Sequence, residues 1–206
     1  MEETAKDYIV RVNTLFKKYG IKSVTMDDVS RELGISKKTL YAFFKDKSDL
    51  VEQVLKLEFE EKSCSIKESM SNKPNALEEL FEYYKLQIRM LSSQKLNFIY
   101  DLKKYYPSLF EKFNIYKKEL MFNMVKDNLK RGKDEGLYRK DLNEDIITRL
   151  HIARIESLRT SELFSNEELL SPIFFAEAFK YHVYAIASNK GRQIIDKNID
   201  KLIENA

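Results

Sequence analysis

Only five glycines and three prolines interrupt the 206 residues, and that scarcity restricts the fold more than any other feature of the chain. Proline inside a helix removes a hydrogen bond and clashes with the preceding turn, while glycine loses more backbone freedom than any other residue, so both punctuate helices rather than build them. Tryptophan is absent, and Lys, Leu, Glu and Ile dominate. Such a chain favours long helices over a turn-rich β fold, and an all-α protein is expected.

The punctuation can be followed along the chain. Ile9, Val12, Leu15 and Phe16 recur at helical spacing over residues 5–19, and Gly20 follows where a left-handed residue commonly closes a helix. Thr25 then precedes "MDDVSREL". Its hydroxyl can accept from the third amide of a second helix while Asp28, in the capping-box position, reaches back to Thr25. That helix stops at Gly34, and Ser36 can cap a short third helix, "KKTLYAFF". Val29 and Leu33 on one helix face Leu40 and Phe44 on the other across a turn containing Gly34, with Ile35 plugging the angle, and this is a helix-turn-helix pattern.

Asp46 and Asp49 form a further cap-like pair ahead of a long fourth helix. Pro74, Pro107 and Pro172 lie near helix starts, where a missing amide costs least, and Gly132, Gly136 and Gly191 read as stops. Further helices are expected at about 75–91, 94–105, 108–132, 143–160, 168–188 and 191–204. The division expected is a small helix-turn-helix domain over 1–48 and a larger helical domain over 49–206.

Charge and cysteine content exclude several classes. Lysine plus arginine number ten against eight acidic residues in 1–50, leaving 26 against 25 in the rest, so bulk charge does not mark a nucleic-acid binder and local clustering must. The single cysteine, Cys64, forbids an internal disulfide framework. The opening "MEETAKDYIV" is acidic and mixed, unlike a secretion signal. The most apolar run, "PIFFAEAFKYHVYAIA", is broken by Glu177, Lys180 and His182 before it reaches the ~18 residues that a bilayer demands. A soluble cytoplasmic protein without membrane contact is expected. Enzymatic chemistry finds little support: His151 and His182 stand on separate predicted helices with no metal-type partner nearby in sequence, and there is no glycine-rich phosphate loop or nucleophile elbow. No cofactor and no metal are expected.

In a helix-turn-helix the second helix enters the major groove, while basic side chains and helix N-termini hold phosphates. With Leu40 and Phe44 buried, Lys37, Lys38, Thr39 and Ala42 remain for the groove. Lys38 is placed for guanine O6 or N7, Thr39 for a hydroxyl or methyl contact, and Ala42 for close apolar approach. Thr25, Ser36 and Lys47 lie at helix starts that can bracket the backbone, and Tyr41 offers a hydroxyl to phosphate. Read blandly, the lysines form a solvated face and Tyr41 and Phe43 belong to the core.

The stretch "VTMDDVSRELGISKKTLYAFFKDKSDLVEQVL" resembles the DNA-binding domain of the tetracycline-repressor (TetR) family of bacterial transcriptional regulators. Thr25, Gly34, Ile35, Ser36, Thr39, Leu40, Tyr41, Phe44, Lys47 and Leu50 match that family's pattern, and the likeness covers about residues 5–57. Phe43 departs from it, standing where the family usually has a His or Tyr able to touch phosphate. The resemblance implies a homodimeric, ligand-responsive regulator, a repressor, on a near-palindromic double-stranded operator. A helical small-molecule carrier or adaptor that has lost DNA binding is the alternative.

In the C-terminal part, "PIFFAEAFKYHVYAIA" is apolar on nearly every side, as in a helix packed from both directions. Together with 143–160, the segment 168–188 can build a four-helix interface with a second copy. Tyr84, Ile88, Phe98, Leu102, Phe113 and Tyr116 lie in aromatic and aliphatic stripes that describe ordinary core but also the walls of a site for a small, largely apolar ligand, with Arg89 and His151 as polar handles.

Overall fold

A computed structural model describes residues 2–92, 96–160 and 162–204, and these form helices joined by short connections. In chain order they are α1 (Glu2–Tyr19), α2 (Met26–Leu33), α3 (Lys37–Phe43), α4 (Lys47–Ser71), α5 (Ala76–Ser92), α6 (Leu96–Tyr105), α7 (Pro107–Asp134), α8 (Glu144–Thr160), α9 (Asn166–Leu169), α10 (Pro172–Ile186) and α11 (Asn189–Glu204). The all-α class is as expected; among the described residues the β content is one isolated antiparallel bridge, Tyr138 with Ala187. No described helix is long and apolar enough to cross a membrane.

Two elements differ from the sequence reading. The single helix expected over 168–188 is two. Ser171 caps α10, its Oγ accepting the Phe174 amide at 3.1 Å with Pro172 in the first turn, and this strong start leaves α9 as a separate turn. Gly132 and Gly191, read as stops, lie inside α7 and α11. They are close-approach residues: a Cβ at Gly132 would stand 2.0 Å from the Tyr138 ring, and one at Gly191 would stand 2.1 Å from the Leu137 carbonyl oxygen. The stop after α7 is Gly136, at φ 70.

The chain packs as two compact units. One takes Met1–Cys64 and Gln94–Tyr116, so α6 and the start of α7 share the core of α1 to α4. Phe98 and Leu102 belong to the same buried cluster as Val12, Phe16, Leu40, Phe44 and Leu50. Burial therefore groups the chain differently from the division expected at 48 and 49. The other unit takes Ser65–Ser93 and Lys117–Ala206. Its core gathers Leu80, Phe81 and Tyr84 from α5, Met121, Val125 and Leu129 from α7, and Phe175, Phe179 and Val183 from α10. Arg131 ties this unit's elements together, donating to Glu79 at 2.9 Å, to Glu135 at 2.7 Å and to the Lys73 carbonyl at 2.9 Å.

Candidate nucleic-acid interface

The helix-turn-helix is built by short-range bonds that can be traced one by one. Thr25 Oγ1 accepts the Asp28 amide at 3.2 Å, and Asp28 Oδ2 accepts the Thr25 amide at 2.9 Å and its hydroxyl at 2.6 Å, so α2 opens with a complete capping box. The hydroxyl first and the amide second hold the Asp28 carboxyl below the usual carboxylate range. At the other end Gly34 adopts φ 71, a left-handed conformation that a β-carbon disfavours. This places the Ile35 amide 3.1 Å from the Ser30 carbonyl, closing α2 and turning the chain. Two residues later Ser36 Oγ accepts the Thr39 amide at 3.1 Å, starting α3.

That turn buries one face of α3 and leaves the other open. Leu40 and Phe44 are fully enclosed. Lys37, Lys38, Thr39, Tyr41 and Ala42 are exposed, Tyr41 by 50%. The two lysines at the helix start are not equivalent. Lys37 Nζ is 2.7 Å from Asp27 Oδ1, whereas Lys38 has no ion-pair partner among the described residues. Thr39 Oγ1 lies 2.8 Å from Ser36 Oγ, so both hydroxyls are engaged with each other at the helix start. Lys47, opening α4, donates to the Lys22 carbonyl at 3.3 Å, and its partial burial draws its ammonium below the usual lysine range. Phe43 is half-buried, its ring set edge-on to Tyr8 with centroids 5.3 Å apart. Its apolar ring packs on α1, which accounts for the apolar choice at this position.

The residues expected to line a ligand site fall in different parts of the molecule. Phe98, Leu102, Phe113 and Tyr116 belong to the first unit, where Phe98 and Leu102 are buried core and Tyr116 is exposed beside Phe59 and Phe113. Tyr84, Arg89 and His151 belong to the second, with Arg89 exposed. The Ile88 side chain lies outside the described residues. Tyr84 and His151 do come together, ring centroids 5.6 Å apart. Beside them are three residues that the sequence reading did not select: Thr148, Arg154 and His182. Thr148, His151 and Arg154 are spaced by three along α8, a one-face pattern that was available in the sequence.

Residues 13–54, the segment from the end of α1 into α4, match the model of the bacterial regulatory proteins, tetR family. This segment, which contains the helix-turn-helix, is similar to the DNA-binding part of tetR-family regulators. HTH-type transcriptional regulators of Staphylococcus aureus strains USA300 and NCTC 8325 are each 39% identical over 59 residues, a match covering 27% of this chain and 32% of theirs. The chain thus matches about a third of the length of these curated relatives. Among solved structures, a TetR-family regulator from Agrobacterium tumefaciens is similar at 18% identity and TM-score 0.62, over 91% of this chain and 99% of that one. One from Streptomyces coelicolor is similar at 17% identity and TM-score 0.66, over 90% and 97%. The superantigen PfiT is similar at 14% identity and TM-score 0.67, over 91% and 98%. Likeness at these identities establishes a TetR-like fold across the chain, with function left to the site.

Proposed function

We propose that this chain is a homodimeric, ligand-responsive transcriptional repressor of the TetR family that binds a near-palindromic operator. The observation that carries the reading is the open face of α3. Lys38, Thr39, Tyr41 and Ala42 are exposed on a short helix whose opposite side is sealed and whose start is capped, the arrangement that a groove-reading helix requires. Residues 1–48 read DNA, and residues 49–206 bind a small, largely apolar ligand and a second copy of the chain. Two such heads about a twofold axis meet successive major grooves roughly 34–36 Å apart, or a larger multiple. The ligand acts by binding one spacing of the heads more tightly than the other. The matched family consists of regulators rather than enzymes. A carrier without DNA binding would have no use for an open lysine beside a capped, groove-sized helix.

The test is selection of duplexes from a random library by the purified protein, repeated with Lys38→Ala and Tyr41→Ala. The wild type enriches a near-palindrome. Loss of Lys38 relaxes preference at one base pair by about 1–3 kcal/mol, the range of good base contacts and an upper guide for lysine. Loss of Tyr41, whose hydroxyl serves phosphate, weakens all duplexes alike. If no sequence is enriched, the reading fails; if neither substitution alters binding, the roles given to the two residues fail.

A further inference from the structure

The second unit contains a polar cluster that packing alone does not require. α8 turns Thr148, His151 and Arg154 inward at three-residue intervals, α10 brings His182, and α5 brings Tyr84. Thr148 is 0%, His151 2% and His182 8% exposed. The two imidazole rings lie 4.4 Å apart, and the Tyr84 ring is 5.6 Å from one and 6.0 Å from the other. The Arg154 guanidinium donates to the Tyr84 hydroxyl and, at 3.2 Å, to the Ala178 carbonyl.

These bonds leave much unmet. Among the described residues, neither nitrogen of His151, nor His182 Nε2, nor Thr148 Oγ1, nor Arg154 Nε has a hydrogen-bond partner. No carboxylate among the described residues pairs with Arg154. A buried polar atom left unpaired is destabilising, and a buried charge without a counter-ion is more so. Aliphatic side chains at these positions would incur none of this. Five unmet atoms on four neighbouring side chains, one of them a cation, therefore call for an occupant that supplies acceptors and a negative charge.

The occupant's chemistry can be narrowed. Among the described residues Arg154 is the one cation in the cluster, which matches a monoanion and leaves a phosphate dianion half-neutralised. A guanidinium is the natural partner of a carboxylate, whose lone pairs can also take an imidazole N–H and a hydroxyl. Tyr84, Phe175 and Phe179 stand around the cluster, with Tyr84 5.2 Å from Phe179 and 6.5 Å from Phe175, so the body attached to that carboxylate is apolar. A metal ion fits less well: among the described residues no group of three His, Cys, Asp or Glu side chains could hold one. We propose that Thr148, His151, Arg154 and His182, with Tyr84, bind the carboxylate of a small aromatic or aliphatic monocarboxylic acid. This rests on the ligand-responsive reading above and gives its ligand a chemical class.

The experiment uses the full chain without DNA. Benzoate, phenylacetate and hexanoate are titrated in parallel with their neutral amides, with calorimetry and the imidazole resonances of His151 and His182 as readouts. At least one acid shifts both histidines and binds at least about tenfold more tightly than its amide, as expected where a charge-assisted bond is at stake. Arg154→Gln removes that preference, and Thr148→Val, which keeps the side-chain shape, weakens the acid should the arginine variant fail to fold. The proposal is overturned if no acid moves the histidine signals at millimolar concentration, which would make the cluster a hydrated polar core only. It is equally overturned if amide and acid bind alike, or if the variants bind as the wild type does. Duplex selection by the same preparation separates the two readings: enriched DNA without acid binding sinks the site and leaves the regulator, and acid binding without DNA does the reverse.

Discussion

At the scale of single residues, the buried histidines tie the fold to pH. Burial, reinforced by Arg154, pushes His182 down to about 3 from its ordinary 6.5. Burial, His182 and Arg154 likewise hold His151 well below 6.5. In the unfolded chain both rings take a proton near 6.5; in the folded chain both resist it. Below that pH the unfolded state binds more protons, so stability falls as pH falls, by up to about 1.4 kcal/mol per pH unit for each ring. Above 7 this contribution is fully present. Thermal unfolding between pH 7.5 and 5, a window chosen to stay above the carboxylates, should show the melting temperature dropping below about 6.5, and His182→Asn should flatten the decline by roughly one proton's worth. An unchanged slope in that variant would show that His182 titrates normally. The cluster around these rings was only partly legible in the sequence. The spacing of Thr148, His151 and Arg154 was there to read along one helix, but Tyr84 and His182 arrive from α5 and α10, and which residues oppose one another across a core is set by packing that no local pattern records.

At the scale of elements, the helix-turn-helix was legible because each of its decisions is made within a few residues. Thr25 with Asp28, Gly34, and Ser36 with Thr39 act over three or four positions, and all are found where their chemistry places them. Two glycines of the second unit, Gly132 and Gly191, were misread for the opposite reason, while Gly136 is the stop it was read to be. A helix stop and a site of close approach use the same residue, and only the partner distinguishes them. Gly132 illustrates the cost. Its neighbour Tyr138 is sealed in the core with its hydroxyl 3.0 Å from both the Ala76 carbonyl and Asn128 Oδ1, while Asn128 Nδ2 donates to the same carbonyl at 2.9 Å. A methyl group at 132 would occupy the Tyr138 ring's place. Gly132→Ala should therefore destabilise through overpacking, by about 1–3 kcal/mol, together with the displaced hydrogen bonds. Tyr138→Phe removes only the hydroxyl and should cost nearer 1 kcal/mol. Urea unfolding ranks the two. Were Gly132→Ala the milder change, the ring would have room that the structure does not give it.

At the scale of the whole molecule, the single chain leaves apolar surface that a solitary protein has little reason to keep. On α8, Ile146 and Leu150 are 55% and 61% exposed, one turn apart; on α10, Ile173 and Tyr181 are 78% and 76% exposed, two turns apart. Scattered apolar residues on a surface are ordinary, but rows on neighbouring helices of one unit favour an interface. α10 already buries Phe175, Phe179, Val183 and Ile186 on its other side, so a second copy against the outer rows would give the two-sided packing that its sequence implies. The proposed dimer also has a consequence for DNA. One short helix offers few base contacts, and linking two heads makes the second binding step intramolecular, multiplying affinity on a palindrome by about 10²–10⁴ without any new contact. Sedimentation of the wild type at micromolar concentration should therefore give twice the chain mass. Leu150→Glu combined with Ile173→Glu should give a monomer of unchanged helicity, since both positions are exposed in the single chain. On the selected operator the monomer should lose the palindrome advantage while binding an isolated half-site as the wild type does. A wild type that sediments as a monomer, or a double variant that keeps the full advantage, would place the dimer contact elsewhere or remove it, and with it the argument for a twofold operator.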